Sequence, residues 1–173
     1  MKKNSFDEID IKTLKDNTFA LMDDDWMLIT AGNVKSFNTM TAAWGGFGIL
    51  WHKPVVFAFI RPTRYTYEFM EKNKHFTLCY FEEKYREILK ICGTKSGREY
   101  DKIKNTGLIP LENKWGSTYF EQSRMVIACK KIYYDDFKPG LFLDDSIHRE
   151  YPKEDYHRFY IGKIEQCLIK REK

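Results

Sequence analysis

The chain has 173 residues, 43% of them hydrophobic and 31% charged, which suits one soluble domain that buries its own core without staples. Lys and Arg number 29 against 25 acidic residues, a formal charge of +4, and both signs are spread along the chain. That dispersal argues against a concentrated nucleic-acid face and is compatible with a small anionic ligand.

In chain order, residues 1–17 are polar with sparse apolar positions (Phe6, Ile9, Ile11, Leu14) and read as a lead-in segment that packs only partly. Phe19–Met22 and Trp26–Thr30 are short apolar runs around Asp23-Asp24-Asp25, which predicts strand, turn, strand. Ser36–Trp44 is extended in character and ends at Gly45-Gly46. Pro54–Ile60 is β-branched and aromatic, the composition of a buried strand.

After Arg61-Pro62, Thr66 is placed to N-cap a helix over Tyr67–Lys72 that stops at Asn73. His75–Phe81 predicts another strand. Tyr85–Ile91 has helical spacing, with Gly93 at C′. A short helix follows Ser96-Gly97 and ends at Gly107. Thr118–Glu121, Met125–Tyr134 and His157–Leu168 supply further strands, with a loop-rich insertion from Pro139 to Pro152. Aromatics reach 16%, in keeping with many strands and equally with a pocket for a flat ligand. Closely spaced strands with few helical excursions predict a mainly β (α+β) barrel forming a single domain over 1–173.

Four widely spaced cysteines, Cys79, Cys92, Cys129 and Cys167, include no C-x-x-C pair, so no zinc knuckle or dithiol motif is expected. No run approaches a membrane span and no apolar h-region follows the charged N-terminus. A reducing cytoplasm is the expected setting. Spacing yields no Ser/His/Asp set, paired carboxylates or metal-ligand cluster, so no catalytic or metal residue is assigned, and redox chemistry would have to come from a cofactor.

Three stretches could hold such a group. Asn38-Thr39-Met40-Thr41-Ala42-Ala43-Trp44-Gly45-Gly46 puts an amide, hydroxyls and small residues on a strand end. There a planar ring could approach the backbone, although a polar edge strand would read the same way. Arg61-Pro62-Thr63-Arg64-Tyr65-Thr66 joins a buried strand to a helix start. It gathers two guanidiniums near free N–H groups, a setting that favours a phosphate monoester, and either Arg61 or Arg64 could hold it. Cys92-Gly93-Thr94-Lys95-Ser96-Gly97 with Asp101-Lys102 is a turn between helices that could touch a ligand rim, though not with Walker or dinucleotide spacing. His157 opens the last strand and could hydrogen-bond a ligand.

Together with the ending Asp155-Tyr156-His157-Arg158-Phe159-Tyr160-Ile161-Gly162-Lys163-Ile164, these stretches resemble, in order over about residues 15–168, the flavin-reductase-like, flavoredoxin-type family. The resemblance implies an FMN-binding split β-barrel with short flanking helices, homodimeric, with noncovalent FMN near the interface. It implies that Asn38–Trp44 lines the isoalloxazine ring, that Arg61–Thr66 holds the ribityl phosphate, that Ser96, Gly97 and Lys102 lie near the flavin, and that His157 points toward it. It further implies hydride transfer from NADH or NADPH to flavin, with electron relay to a redox partner protein as the alternative. A nucleic-acid-binding β-barrel, with aromatic strands as stacking platforms, is a more distant one. Ala43 stands where many relatives carry Ser, and Lys163 replaces an acidic residue common after the Ile-Gly pair.

Overall fold

The computed structural model describes residues 5–171. Its strands are β1 (Phe6–Ile9), β2 (Met27–Asn33), β3 (Ser36–Ala42), β4 (Gly45–Leu50), β5 (Lys53–Ile60), β6 (His75–Tyr80), β7 (Pro110–Glu112), β8 (Thr118–Phe120), β9 (Met125–Asp136) and β10 (Arg158–Lys170). Helices α1 (Thr18–Ala20), α2 (Tyr65–Lys72), α3 (Arg86–Thr94) and α4 (Lys102–Thr106) are all short. The main sheet runs β3-β2-β6-β9-β10-β5-β4, antiparallel throughout. β1 pairs with the C-terminal half of β10, and β7–β8 form a separate hairpin. This is the split-barrel architecture that the sequence predicts.

Strand periodicity explains the core. On β2 and β6 the run is buried almost continuously because both faces are covered. Met27, Ile29 and Ala31 join Phe76, Leu78, Tyr80, Met125 and Ile127 in the barrel interior. Leu28, Cys79 and Val126 face a second cluster with Leu89, Cys92 and Phe120, under α3 and the β8 strand. Side chains alternate across a sheet with period two, so adjacent residues feed different cores. All four cysteines are buried free thiols.

Three expectations are corrected. Phe19–Met22 is helical, not a strand: Asn17 caps α1 by accepting from the Phe19 and Ala20 N–H groups, and the turn widens into a π-helical segment over Leu21–Asp25. The lead-in segment packs only partly, as expected, with Phe6 alone buried among residues 5–17, although β1 does join the sheet. Gly45-Gly46 opens a strand instead of ending one. A Cβ on Gly45 would lie 2.8 Å from the Phe57 carbonyl oxygen, so the glycine permits close β4–β5 approach. Gly93 sits inside α3, which runs on to Thr94; a Cβ there would meet Thr41 at 3.3 Å, so the residue serves helix–strand packing rather than a C-cap. The β7 strand was not foreseen. Gly107 does stop α4, at φ 68°.

Candidate functional site

β3 ends one side of the main sheet, so one row of its peptide groups has no strand partner. The Thr39 carbonyl belongs to that row, since it accepts a hydrogen bond from Lys102 Nζ at 2.6 Å. Alternation puts the Thr41 N–H and C=O on the same outer edge. Across from this edge lie the end of β5 and the start of β10.

Between them is a hollow of about 250 Å³ lined by Met40, Thr41, Ala42, Ala43, Trp44, Phe59, Arg61, Arg64, Gly93 and His157. A smaller hollow of about 110 Å³ adjoins it through Met40 and Arg64, and adds Asn38, Thr63, Tyr65, Thr66, Thr94, Lys95, Ser96, Gly97 and Lys102. The first is flanked by an aromatic wall, with Trp44 5.3 Å from the His157 ring and Phe59 edge-on to it at 6.5 Å. The second is polar and lies at the α2 N-terminus.

Thr66 is not the N-cap. α2 starts at Tyr65, Arg64 takes the cap position, and no side chain caps the helix. The buried Thr66 hydroxyl instead accepts from Asn38 Nδ2 at 2.8 Å, tying the strand to the helix. Gly97 makes that junction possible, because a Cβ there would fall 2.0 Å from Asn38 Oδ1.

The two arginines differ. Arg61 Nη1 pairs with Asp155 Oδ1 at 2.7 Å and its Nη2 donates to the Glu150 carbonyl at 2.8 Å; Thr63 Oγ1 also donates to Asp155, at 3.2 Å. Arg64 Nη2 donates to the Gly93 carbonyl at 2.7 Å, and Arg64 has no carboxylate partner among the described residues. Burial first, then the Arg61 charge, lowers its pKa. Lys102 is 5% exposed, and among the described residues its ammonium bonds only the Thr39 and Cys92 carbonyls, at 2.6 and 2.9 Å. Its burial, with Arg64 adding to it, brings its pKa down to about 8. Two partly desolvated cations, without a carboxylate partner among the described residues, thus face one polar hollow, an arrangement that an anion would complete.

Of the residues singled out in the sequence, the fold brings Asn38, Met40–Trp44, Arg61, Thr63–Thr66, Ser96, Gly97, Lys102 and His157 to these hollows. It turns two side chains away. Thr39 Oγ1 lies 2.8 Å from Thr30 Oγ1 within the sheet, and the Cys92 thiol is buried in the α3 core, where burial pushes its pKa to about 11. The stretch Gly93-Thr94-Lys95, named from the sequence as a possible ligand rim, lines the hollows as well, whereas Phe59 was missed. For Phe59 a signal existed: on β5 it alternates with the buried Ala58 and Ile60.

A family model described as the flavin reductase like domain matches residues 21–173. Comparison with curated protein sequences gives no match. Among solved structures, the FMN-binding domain of a flavin reductases-like enzyme from Shewanella baltica superposes with a TM-score of 0.70 at 16% identity, covering 96% of this chain and 78% of that one. Flavoredoxin of Desulfovibrio vulgaris gives 0.66 at 22% identity, with 99% and 78% covered. An NADH:FAD oxidoreductase from Streptomyces globisporus gives 0.64 at 10%, with 84% and 75% covered. At these identities the likeness to solved structures is one of fold.

Proposed function

The chain belongs to the flavin-reductase-like family, and from that premise we propose that it is an FMN-dependent oxidoreductase drawing electrons from NADH or NADPH. One observation carries the reading. Arg64 and Lys102, both partly desolvated and without carboxylate partners among the described residues, converge beside the uncapped start of α2. A phosphate monoester fits that donor set better than a neutral ligand does. Next to it, small side chains at Ala42 and Ala43 and the unpaired peptide edge of β3 suit a flat ring with alternating hydrogen-bond donors and acceptors.

On this reading Arg64, Lys102, Ser96 and the first N–H groups of α2 bind the phosphate. Met40–Trp44 and Phe59 orient the ring and exclude water from one face, and His157 faces its edge. FMN, when bound, supplies the hydride and single-electron chemistry. No side chain of the hollow is poised as a general base: the pKa of His157 is held down to about 4, by burial and the Arg61 charge, and it stays neutral at pH 7.

The proposal includes a homodimer with FMN near the interface. Trp44, Ile49 and Trp51 are 46%, 64% and 52% exposed on and around the edge strand β4, an apolar edge that a second copy would cover. Four unpaired thiols suit a reducing cytoplasm. The fold shared with flavoredoxin supports a second reading, an electron carrier that needs a redox partner protein. Protein reconstituted with FMN should be yellow and bleach anaerobically on adding NADH or NADPH. Retained flavin without bleaching would refute the nicotinamide reductase and favour the carrier, and failure to retain FMN would refute both.

A further inference from the structure

Tyr151 follows a 3-10 turn (Asp145–Glu150) within the 137–157 excursion, a segment whose sequence reads only as loop. Its side chain nevertheless turns inward and is 5% exposed, beside His157 at 7%. The phenol oxygen lies 2.8 Å from His157 Nδ1. Nδ1 is the one acceptor within reach of the buried phenol among the described residues, so the arrangement that leaves no phenol hydrogen unpartnered has Tyr151 donating to Nδ1.

The surroundings hold this pair in place. The Arg61 guanidinium lies 4.8 Å from the centre of the Tyr151 ring and is itself fixed by Asp155 and the Glu150 carbonyl. Tyr156 packs on the Tyr151 ring at 4.9 Å. Trp44 and Phe59 hold the imidazole from the hollow side. With Nδ1 committed to Tyr151, Nε2 is the nitrogen left for a ligand, and in a neutral ring whose Nδ1 accepts, Nε2 carries the proton.

We propose that Tyr151 is a positioning residue. By donating to Nδ1 it fixes His157 as the Nε2–H tautomer, so that the hollow presents a neutral hydrogen-bond donor to a carbonyl oxygen or ring nitrogen of the bound flavin. The ligand half of this proposal rests on the FMN reading above; the tautomer half rests on the geometry alone.

The test uses the full chain labelled with 15N-histidine, without flavin, at pH 7, with His157 assigned by the loss of its signals in His157→Gln. Long-range 1H–15N correlations should show Nε2 protonated and Nδ1 unprotonated in the parent. In Tyr151→Phe, which removes one oxygen atom and whose folding is checked by circular dichroism, the two tautomers should mix toward comparable populations. The dissociation constants of FMN and riboflavin should then rise together, by about 3–10-fold. An Nδ1–H or doubly protonated His157 in the parent, or an unchanged tautomer in Tyr151→Phe, would overturn the proposal. A tautomer shift with both affinities unchanged would overturn its ligand half. Should Tyr151→Phe not fold, the parent spectrum decides alone. A fixed Nε2–H tautomer in a chain that takes up no flavin would refute the FMN reading and leave the Tyr151–His157 geometry standing.

Discussion

Arg64→Ala removes a guanidinium that meets one backbone carbonyl, Gly93, at 2.7 Å and no carboxylate among the described residues. A hydrogen bond to a charged group contributes about 1.5–3 kcal/mol. The hollow is open to water on one side, so a value near 2 kcal/mol applies, a loss of about 30-fold in FMN affinity. Riboflavin carries the same ring and ribityl chain without the phosphate, and its affinity should change by less than about 3-fold. Arg61→Ala is the internal control. Its guanidinium already holds Asp155 and the Glu150 carbonyl, so its loss frees a carboxylate, loosens the segment bearing Tyr151 and His157, and weakens both ligands alike. Flavin fluorescence titrations of both variants with both ligands, at one fixed ionic strength, read the four constants. Equal losses for FMN and riboflavin in Arg64→Ala, or a phosphate-selective loss in Arg61→Ala, would refute the assignment of the phosphate to Arg64.

Thr66→Val keeps the shape of α2 but leaves the buried Asn38 amide with only its long 3.4 Å bond to the Thr39 carbonyl; a fall in unfolding free energy of about 1–3 kcal/mol by urea titration, restored in Thr66→Ser, is expected. Gly97→Ala sets a methyl 2.0 Å from Asn38 Oδ1 and 3.2 Å from Tyr65 Cδ1, so the α3–α4 loop must retreat. A loss of about 1–3 kcal/mol in stability together with weakened FMN binding is expected, and unchanged binding would show that the loop does not touch the ligand. The pKa of His157 is held down to about 4 against about 6.5 in the unfolded chain. The unfolded state therefore binds the extra proton first, and stability falls as pH drops from about 6.5 to 4, by up to about 3 kcal/mol. His157→Gln should flatten that part of the pH–stability curve, and an identical acid slope in the variant would contradict the burial argument.

The barrel strands were legible because their apolar runs are short, β-branched and bounded by turn residues, as in Pro54–Ile60. Phe19–Met22 was not, since four apolar residues fit a helix and a strand equally and a neighbouring cap, Asn17, decides between them. Gly45-Gly46 was misjudged for a related reason: a glycine pair marks either a turn or close backbone approach, and only Phe57, brought alongside by β5, resolves which. At the site, Arg61–Thr66 could be singled out because the strand–loop–helix junction is local. What separates Arg61 from Arg64 is Asp155, a partner 94 positions away, which no local pattern contains. Lys102 was named as part of a turn that could touch a ligand rim and, through the family likeness, as lying near the flavin; nothing in the spacing of a lysine tells that it will be buried against carbonyls. Tyr151 lay hidden in a segment whose polar, loop-like composition masks one inward-facing ring.

The small strand β1 has a protective consequence. β5 covers the edge of β10 from Arg158 to Lys163, and β1 covers the same edge from Cys167 to Lys170. Without β1, the apolar Cys167-Leu168-Ile169 stretch would offer its N–H and C=O groups to any passing chain, the pattern that seeds sheet-to-sheet association. Phe6–Ile9 thus acts as a sheath on the strand that ends the barrel. Chains cut back past Ile9 should precipitate or assemble through this edge before they lose their secondary structure.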